Sequence, residues 1–303
     1  MPDSDEFWDF YWETSNHKLA DLGKWEAIRA ASRLVRHLAV DPLQPVRILE
    51  LGCGEGQVIG ALVRAHAGTR AIEASCGVDY APAAIEKGRR AFPELTFVEG
   101  DFTDPGMLAG LGQFEIVLLV NALHEVFSAI YSDTLGEVDV PQAKQHVEAT
   151  LVRAAERLAR GGYLLLFDGL ESDGDVSGVV RICWRDREAR RRFETFAAEY
   201  RPFRIAYRET GDPLRVELSY RDFTRYLTKS IFLDKPLWQT ERLESYQYFN
   251  QVEFSAAFER LGLEVIELRM LTVDYEKWRA EVEIETEGVD FPAEHILLVG
   301  RHR

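Results

Sequence analysis

Glycine recurs at every second position in Ile48-Leu49-Glu50-Leu51-Gly52-Cys53-Gly54-Glu55-Gly56, between a short apolar run and a helical pattern. Without Cβ atoms, Gly52, Gly54 and Gly56 let backbone N–H groups approach a ligand closely, and the helix N-terminus behind them favours a negative group such as a carboxylate. A nicotinamide-dinucleotide fingerprint wants G-x-G-x-x-G with a pyrophosphate over the helix. Here Gln57 stands where the third glycine belongs, and the loop reads E-x-G-x-G-x-G. Asp79 closes Gly77-Val78-Asp79-Tyr80, 25 residues after Gly54, where a carboxylate accepts from both ribose hydroxyls. Asp101, in Glu99-Gly100-Asp101-Phe102, suits an exocyclic adenine amine, with Phe102 beside the ring. Carboxylates at three successive strand ends suit a cationic amino-acid tail, a ribose and an adenine better than a pyrophosphate. Plainer roles stand beside these: a strand-to-helix turn for the glycines, an N-cap for Asp79, a loop carboxylate for Asp101.

The elements that carry these residues alternate. Strands are predicted over residues 46–51, 75–79, 95–99, 114–120 and 163–167, with helices over 57–66, 83–91 and 147–158 between them. The spacing places Gly161-Gly162 at the end of the third helix. Such alternation implies a parallel sheet covered on both faces. Ahead of it, Trp25, Ile28, Ser32, Val35 and Leu38 mark one stripe of a helix. After Asp168 the rhythm breaks for about 80 residues and resumes with a helix at 252–261 and strands at 263–271 and 295–300. Three units result: an N-terminal helical lid at 1–45, a sheet domain at 46–170 and 251–303, and an inserted cap at 171–250 that binds substrate or serves a dimer.

With these motifs in order, the chain resembles the class I S-adenosylmethionine-dependent methyltransferases. Residues 50–56, 77–80, 99–102, 114–121 and 158–165 carry the likeness. It implies an α/β, Rossmann-like seven-stranded sheet, parallel with an antiparallel last strand, plus the inserted α-helical or mixed cap. It also implies S-adenosylmethionine at the carboxyl ends of the first four strands. On that footing Glu50, Gly52, Cys53, Gly54, Gly56, Asp79, Tyr80, Asp101, Phe102 and Asn121 are expected to bind cofactor. Cys53 is common in the family's loop and needs no redox role. The acceptor is expected just past the fourth strand, at Asn121-Ala122-Leu123-His124-Glu125. Imidazole is the side chain best poised to take a proton near neutrality, so His124 is the candidate catalytic base; a binding contact and a structural hydrogen bond are its other readings. Glu125 and Asp168 are expected at the substrate. No metal is expected, because the family's metal-dependent members show a tighter set of carboxylates. Tyr11, in the aromatic run Phe7-Trp8-Asp9-Phe10-Tyr11-Trp12, is the lid's candidate cofactor contact.

Composition excludes several other classes. Among 303 residues, 36 are basic and 51 acidic, a net charge of −15, which repels polyanions and argues against a nucleic-acid partner. Residues 171–250 depart from this, with 15 Lys/Arg against 14 Asp/Glu. Six arginines in residues 181–192 suit an ion-paired helix, an anionic-substrate clamp or an RNA contact. No apolar run has the length of a membrane span. The acidic N-terminus differs from a basic secretory signal, and three scattered cysteines fit neither a disulfide scaffold nor a zinc motif. A cytoplasmic methyltransferase of a small molecule, in specialised metabolism, is the leading expectation. A protein or tRNA methyltransferase, a non-catalytic cofactor-binding partner subunit and a nicotinamide oxidoreductase are the alternatives, and a homodimer is left open.

Overall fold

A computed structural model describes residues 23–39, 46–66, 74–172, 178–273 and 275–303. Tyr11 and the 7–12 aromatic run of the expected lid lie outside the described residues. The central sheet begins with β1 (Ile48–Leu51), β2 (Cys76–Asp79), β3 (Thr96–Glu99) and β4 (Phe114–Val120). Helices α1 (Lys24–Leu38), α2 (Gln57–Ala65) and α3 (Pro82–Ala91) precede and separate the early strands. After β4 come the short α4 (Leu123–Ser128), a small hairpin of β5 (Tyr131–Ser132) and β6 (Glu137–Val138), α5 (Val140–Ala155) and the long β7 (Leu158–Gly169). The chain ends with α9 (Gln251–Arg260), β11 (Leu263–Leu271), α10 (Tyr275–Glu281), β12 (Val282–Ile284) and β13 (His295–His302).

Seven strands pair in the order β3-β2-β1-β4-β7-β13-β11. Parallel pairing links β3, β2, β1, β4 and β7, and β13 runs antiparallel to both its neighbours. β1 and β2 are buried along their whole length, as expected of strands with helices on both faces. α1 packs Ala27, Ile28, Ala31 and Val35 with Ile116, Leu118, Leu165 and Phe167 of the sheet. Its buried face includes Leu34 and leaves Trp25 39% exposed, so the stripe expected to run through Trp25 is rotated: small alanines let the helix lie closer to the strands than an indole would.

Gly161-Gly162 does not end a helix. α5 stops at Ala155, and the glycines sit inside β7, where Gly161 has φ 77° and the register against Phe114 and Ile116 slips. The pair forms an irregularity in a longer strand, because pairing with β4 outweighs the local preference of glycine for a helix end.

The insertion contributes β8 (Val179–Trp184), α6 (Arg187–Glu199), β9 (Tyr207–Glu209), β10 (Arg215–Ser219), α7 (Tyr220–Ser230) and α8 (Trp238–Glu241). Its sheet has the order β12-β8-β10-β9, and β12 comes from outside residues 171–250. α6 starts at Arg187 because Asp186 Oδ1 caps it by accepting from the N–H groups of Glu188 and Ala189 at 2.9 Å. Trp184, Phe193, Phe196 and Tyr226 pack edge-on and stacked between this sheet and its helices. Trp238, Tyr246, Tyr248 and Phe249 are all buried within the one chain. Arg181, Arg190, Arg191 and Arg192 each meet a carboxylate, the ion-paired arrangement among the three readings. Gly169, at the end of β7, touches the insertion: a Cβ there would stand 2.0 Å from the Tyr246 carbonyl oxygen. Among the described residues no helix is long and apolar enough to cross a membrane.

Candidate active site

The glycine loop leaves β1 and enters α2 with Gly52, Gly54 and Gly56 at φ 73°, 53° and 77°, the left-handed region that side chains resist. A Cβ on Gly52 would meet the Ala122 Cβ at 2.7 Å. The loop's own groups satisfy much of its backbone. Gly52 and Cys53 donate their N–H groups to the Val78 carbonyl at 2.9 and 3.0 Å, and Gly56 donates to Cys53. Asp79 Oδ2 accepts from the Gly54 N–H at 2.7 Å while Oδ1 accepts from the Ala81 N–H at 2.9 Å. Asp79 therefore clamps loop and β2 together and also stands at the strand end expected for a ribose.

Glu50 is 2% exposed, and its Oε2 accepts from the Ile59 N–H at 3.0 Å. The anion expected at the start of α2 is thus partly supplied by the protein itself. Burial raises the Glu50 carboxyl to about 8, against the pull of Ile59 and Lys24 and with a further push from Asp79. A carboxylate raised in this way binds its proton more tightly when folded. The stability it contributes is present at acidic pH and is lost as pH rises from about 4.5 through about 8. In the cofactor-free protein, Glu50→Gln is therefore expected to melt above the parent by a margin that grows across that window. Calorimetric scans at pH 5, 7 and 8.5 measure it, and a margin constant with pH contradicts the assignment.

Cys53 packs its side chain into the core cluster. A Cβ on Gly77 would lie 2.7 Å from its Sγ, so the thiol is a packing group between loop and β2, and burial pushes it well above its ordinary range. Tyr80 is exposed and Phe102 buried, with the Phe102 ring 3.4 Å from where a Gly52 Cβ would be. Asp101 is exposed, and its Oδ1 accepts from the Thr103 N–H and hydroxyl at 2.7 and 2.6 Å. Asn121 follows β4 at φ 52°, a conformation asparagine tolerates better than most residues. Its Oδ1 is buried without a hydrogen-bond partner. An open glycine bend, a carboxylate at the end of β2 and an orphaned amide oxygen after β4 fit an adenosyl ligand.

Beyond Asn121 the sequence candidates converge. Asp168 is fully buried. Its Oδ2 accepts from the N–H groups of Leu123 and His124 at 2.7 and 3.2 Å, and its Oδ1 accepts from the Gly169 N–H at 2.7 Å. The same Oδ1 lies 2.7 Å from His124 Nδ1. His124 Nε2 points the other way, toward Glu244 Oε2 at 3.7 Å. Burial lowers the imidazolium, but Asp168 and Glu244 outweigh it and bring it to about 10. His124 is thus held by Asp168 through Nδ1 and faces Glu244 with Nε2. Glu125 does stand beside it, pushed up by burial and by Glu244.

The insertion supplies the rest. The Tyr246 ring stacks on His124 with centroids 4.0 Å apart, and Lys229 Nζ lies 4.0 Å from the same ring. Lys229 is wholly buried and donates to Glu241 at 2.8 Å. Lys24, from the first turn of α1, is lowered by burial and held up by Glu50, Glu125, Glu241 and Asp168. Glu244, Glu241, Lys229 and Lys24 were not foreseen. Nothing in the spacing ties residues of an unfamiliar insertion to a strand end more than 100 positions earlier.

Residues 48–139 match the sequence profile of the methyltransferase domain family, and the sheet order supplies that family's fold. This stretch, about a third of the chain, is therefore similar to a methyltransferase domain, and the seven-stranded sheet agrees with the class I S-adenosylmethionine-dependent fold. S-adenosylmethionine is the cofactor that this similarity implies. Over 76 residues, 25% of the chain, the sequence is 36% identical to trans-aconitate 2-methyltransferase of Enterobacter sp. (strain 638). Its fold is similar to magnesium protoporphyrin IX methyltransferase of Synechocystis PCC 6803 with bound SAH, with TM-score 0.52 and 11% identity over 99% of this chain and 95% of that one. An O-methyltransferase family protein of Burkholderia thailandensis aligns with TM-score 0.45 and 13% identity, over 91% of this chain and 57% of that one. The matched region spans 28% of the Enterobacter relative.

Proposed function

We propose that this chain transfers the methyl group of S-adenosylmethionine to a small-molecule acceptor held between the ends of β4 and β7 and the insertion. One observation carries the reading: Tyr246 and Glu244 of the insertion face His124, and Lys229, paired with Glu241, lies against the same Tyr246 ring. A site roofed by buried side chains takes a small molecule more readily than a polymer. The Enterobacter relative is named for a small acid, which agrees with the reading.

When bound, S-adenosylmethionine supplies an already activated sulfonium methyl, so the chain's task is positioning. Asp79 receives the ribose and Asn121 Oδ1 gains a partner beside the loop. Glu50 faces the amino end, with Lys24 opposite. Asp101 and Phe102 take the adenine side. His124, fixed by Asp168 and stacked on Tyr246, orients the acceptor, and Glu125 lines the same wall. The three free cysteines, two of them buried, suit the reducing cytoplasm.

The test offers the purified chain and S-adenosylmethionine to panels of small carboxylates, phenols and amines, and separately to tRNA and protein. Release of S-adenosylhomocysteine is the measured quantity. At least one small panel is expected to support release that changes little between low and moderate salt. Release supported by tRNA or protein alone, falling steeply with salt, overturns the small-acceptor reading. Cofactor uptake without release on any panel favours a binding subunit.

A further inference from the structure

We propose that His124 Nε2, Glu125 and Glu244 bind one divalent transition-metal ion, with Asp168 holding the imidazole from behind. The three side chains place their donor atoms within 4.8 Å of one another. His124 is 2% exposed. Its Nδ1 is committed to Asp168, whose two oxygens are themselves fixed by the N–H groups of Leu123, His124 and Gly169. A carboxylate behind Nδ1 with the second nitrogen facing forward is how proteins orient a ligating histidine and fix its tautomer.

The forward side needs a positive charge. With Nδ1 as donor, a neutral ring turns the Nε2 lone pair toward two carboxylates, and those three groups repel. A proton on Nε2 is one remedy, but Glu244 Oε2 stands 3.7 Å away, well beyond the 2.7–2.9 Å or so of a charged N–H···O bond. That separation suits a shared ion better. Two donors each about 2.1 Å from one metal and this far apart subtend roughly 120° at it, within the range of tetrahedral and five-coordinate sites. One imidazole with two carboxylates selects zinc, manganese or iron over magnesium or calcium. Three protein donors also leave positions open for an oxygen of the acceptor. Ion binding stands without the methyl-transfer reading; only this last link rests on it.

The experiment uses the full chain, dialysed against chelator and titrated with Mn²⁺ in the absence of cofactor and acceptor. Electron paramagnetic resonance counts free ion, and Zn²⁺ is added as competitor. One Mn²⁺ per chain is expected, displaced by Zn²⁺, with affinity lowered roughly 10–100-fold or more in Glu244→Gln. Glu125→Gln makes the same comparison should Glu244→Gln melt below the assay temperature. Binding that survives in every folded variant assigns the ion elsewhere and overturns the proposal. So does a chain that takes up no Mn²⁺ or Zn²⁺ at all, which leaves a proton on Nε2. Because no methyl transfer is measured, a failed acceptor screen and a failed metal site remain separate results.

Discussion

Replacing Asp79 by alanine is expected to weaken S-adenosylmethionine binding about 10- to 100-fold, the loss of charge-assisted hydrogen bonds of about 1.5–3 kcal/mol. Two effects add. The variant loses the carboxylate expected to accept from the ribose. It also frees the Gly54 N–H from Asp79 Oδ2 and the Ala81 N–H from Oδ1, so the loop relaxes before any ligand arrives. Asp79→Asn separates the two, since an amide oxygen still accepts from Gly54 while the charge is gone; its loss should fall between parent and alanine. Titration calorimetry with S-adenosylmethionine and with adenosine alone is the measurement. The ribose assignment requires the deficit to appear with adenosine as well. A deficit confined to the full cofactor moves Asp79 to the amino-acid tail, and an unchanged affinity removes it from the site.

The sheet and the glycine loop were legible because their signals are local. β4 reads as one apolar run, and Pro82 stands at the first position of α3, where its missing N–H costs nothing. A strand followed by E-x-G-x-G-x-G has few other uses. The same reasoning fails where tertiary pairing overrides local preference. Gly161-Gly162 looks like a helix end until β4 lies beside it, and Trp25 looks like a core residue until alanines bring α1 closer to the sheet.

The candidate site was legible one residue at a time, not as a constellation. His124 follows β4 and Asp168 lies near the end of β7, but sequence alone does not show that these strands are neighbours with one imidazole bridging their ends. Glu244 and Lys229 carried no signal, since their stretch has no motif. Phe196 and Trp238 pack with each other inside the insertion, while Tyr246 reaches out of it to His124 and His295. Cys53 shows the converse: its motif is legible, but not that its side chain packs beside Gly77.

Asp168→Ala is expected to cost the fold about 3–5 kcal/mol, the range for removing one partner of a buried ion pair. The carboxylate is fully buried and satisfies three backbone N–H groups as well as His124. Alanine leaves those donors stranded where water does not reach, and each stranded donor is costly. Asp168→Asn should cost less, because one amide oxygen can still accept, although its NH₂ must then face an N–H group. Urea unfolding followed by fluorescence measures both, through a lower midpoint at an unchanged slope. The effect should extend past β7. Asp168 fixes His124, Tyr246 stacks on His124, and the Tyr246 carbonyl rests on Gly169, so this carboxylate joins the strand ends to the insertion. Amide exchange in residues 240–250 is therefore expected to quicken in Asp168→Ala beyond what the global loss explains. A loss below about 1 kcal/mol, the worth of a single ordinary hydrogen bond, would mean that His124 and the start of α4 are held by something other than Asp168.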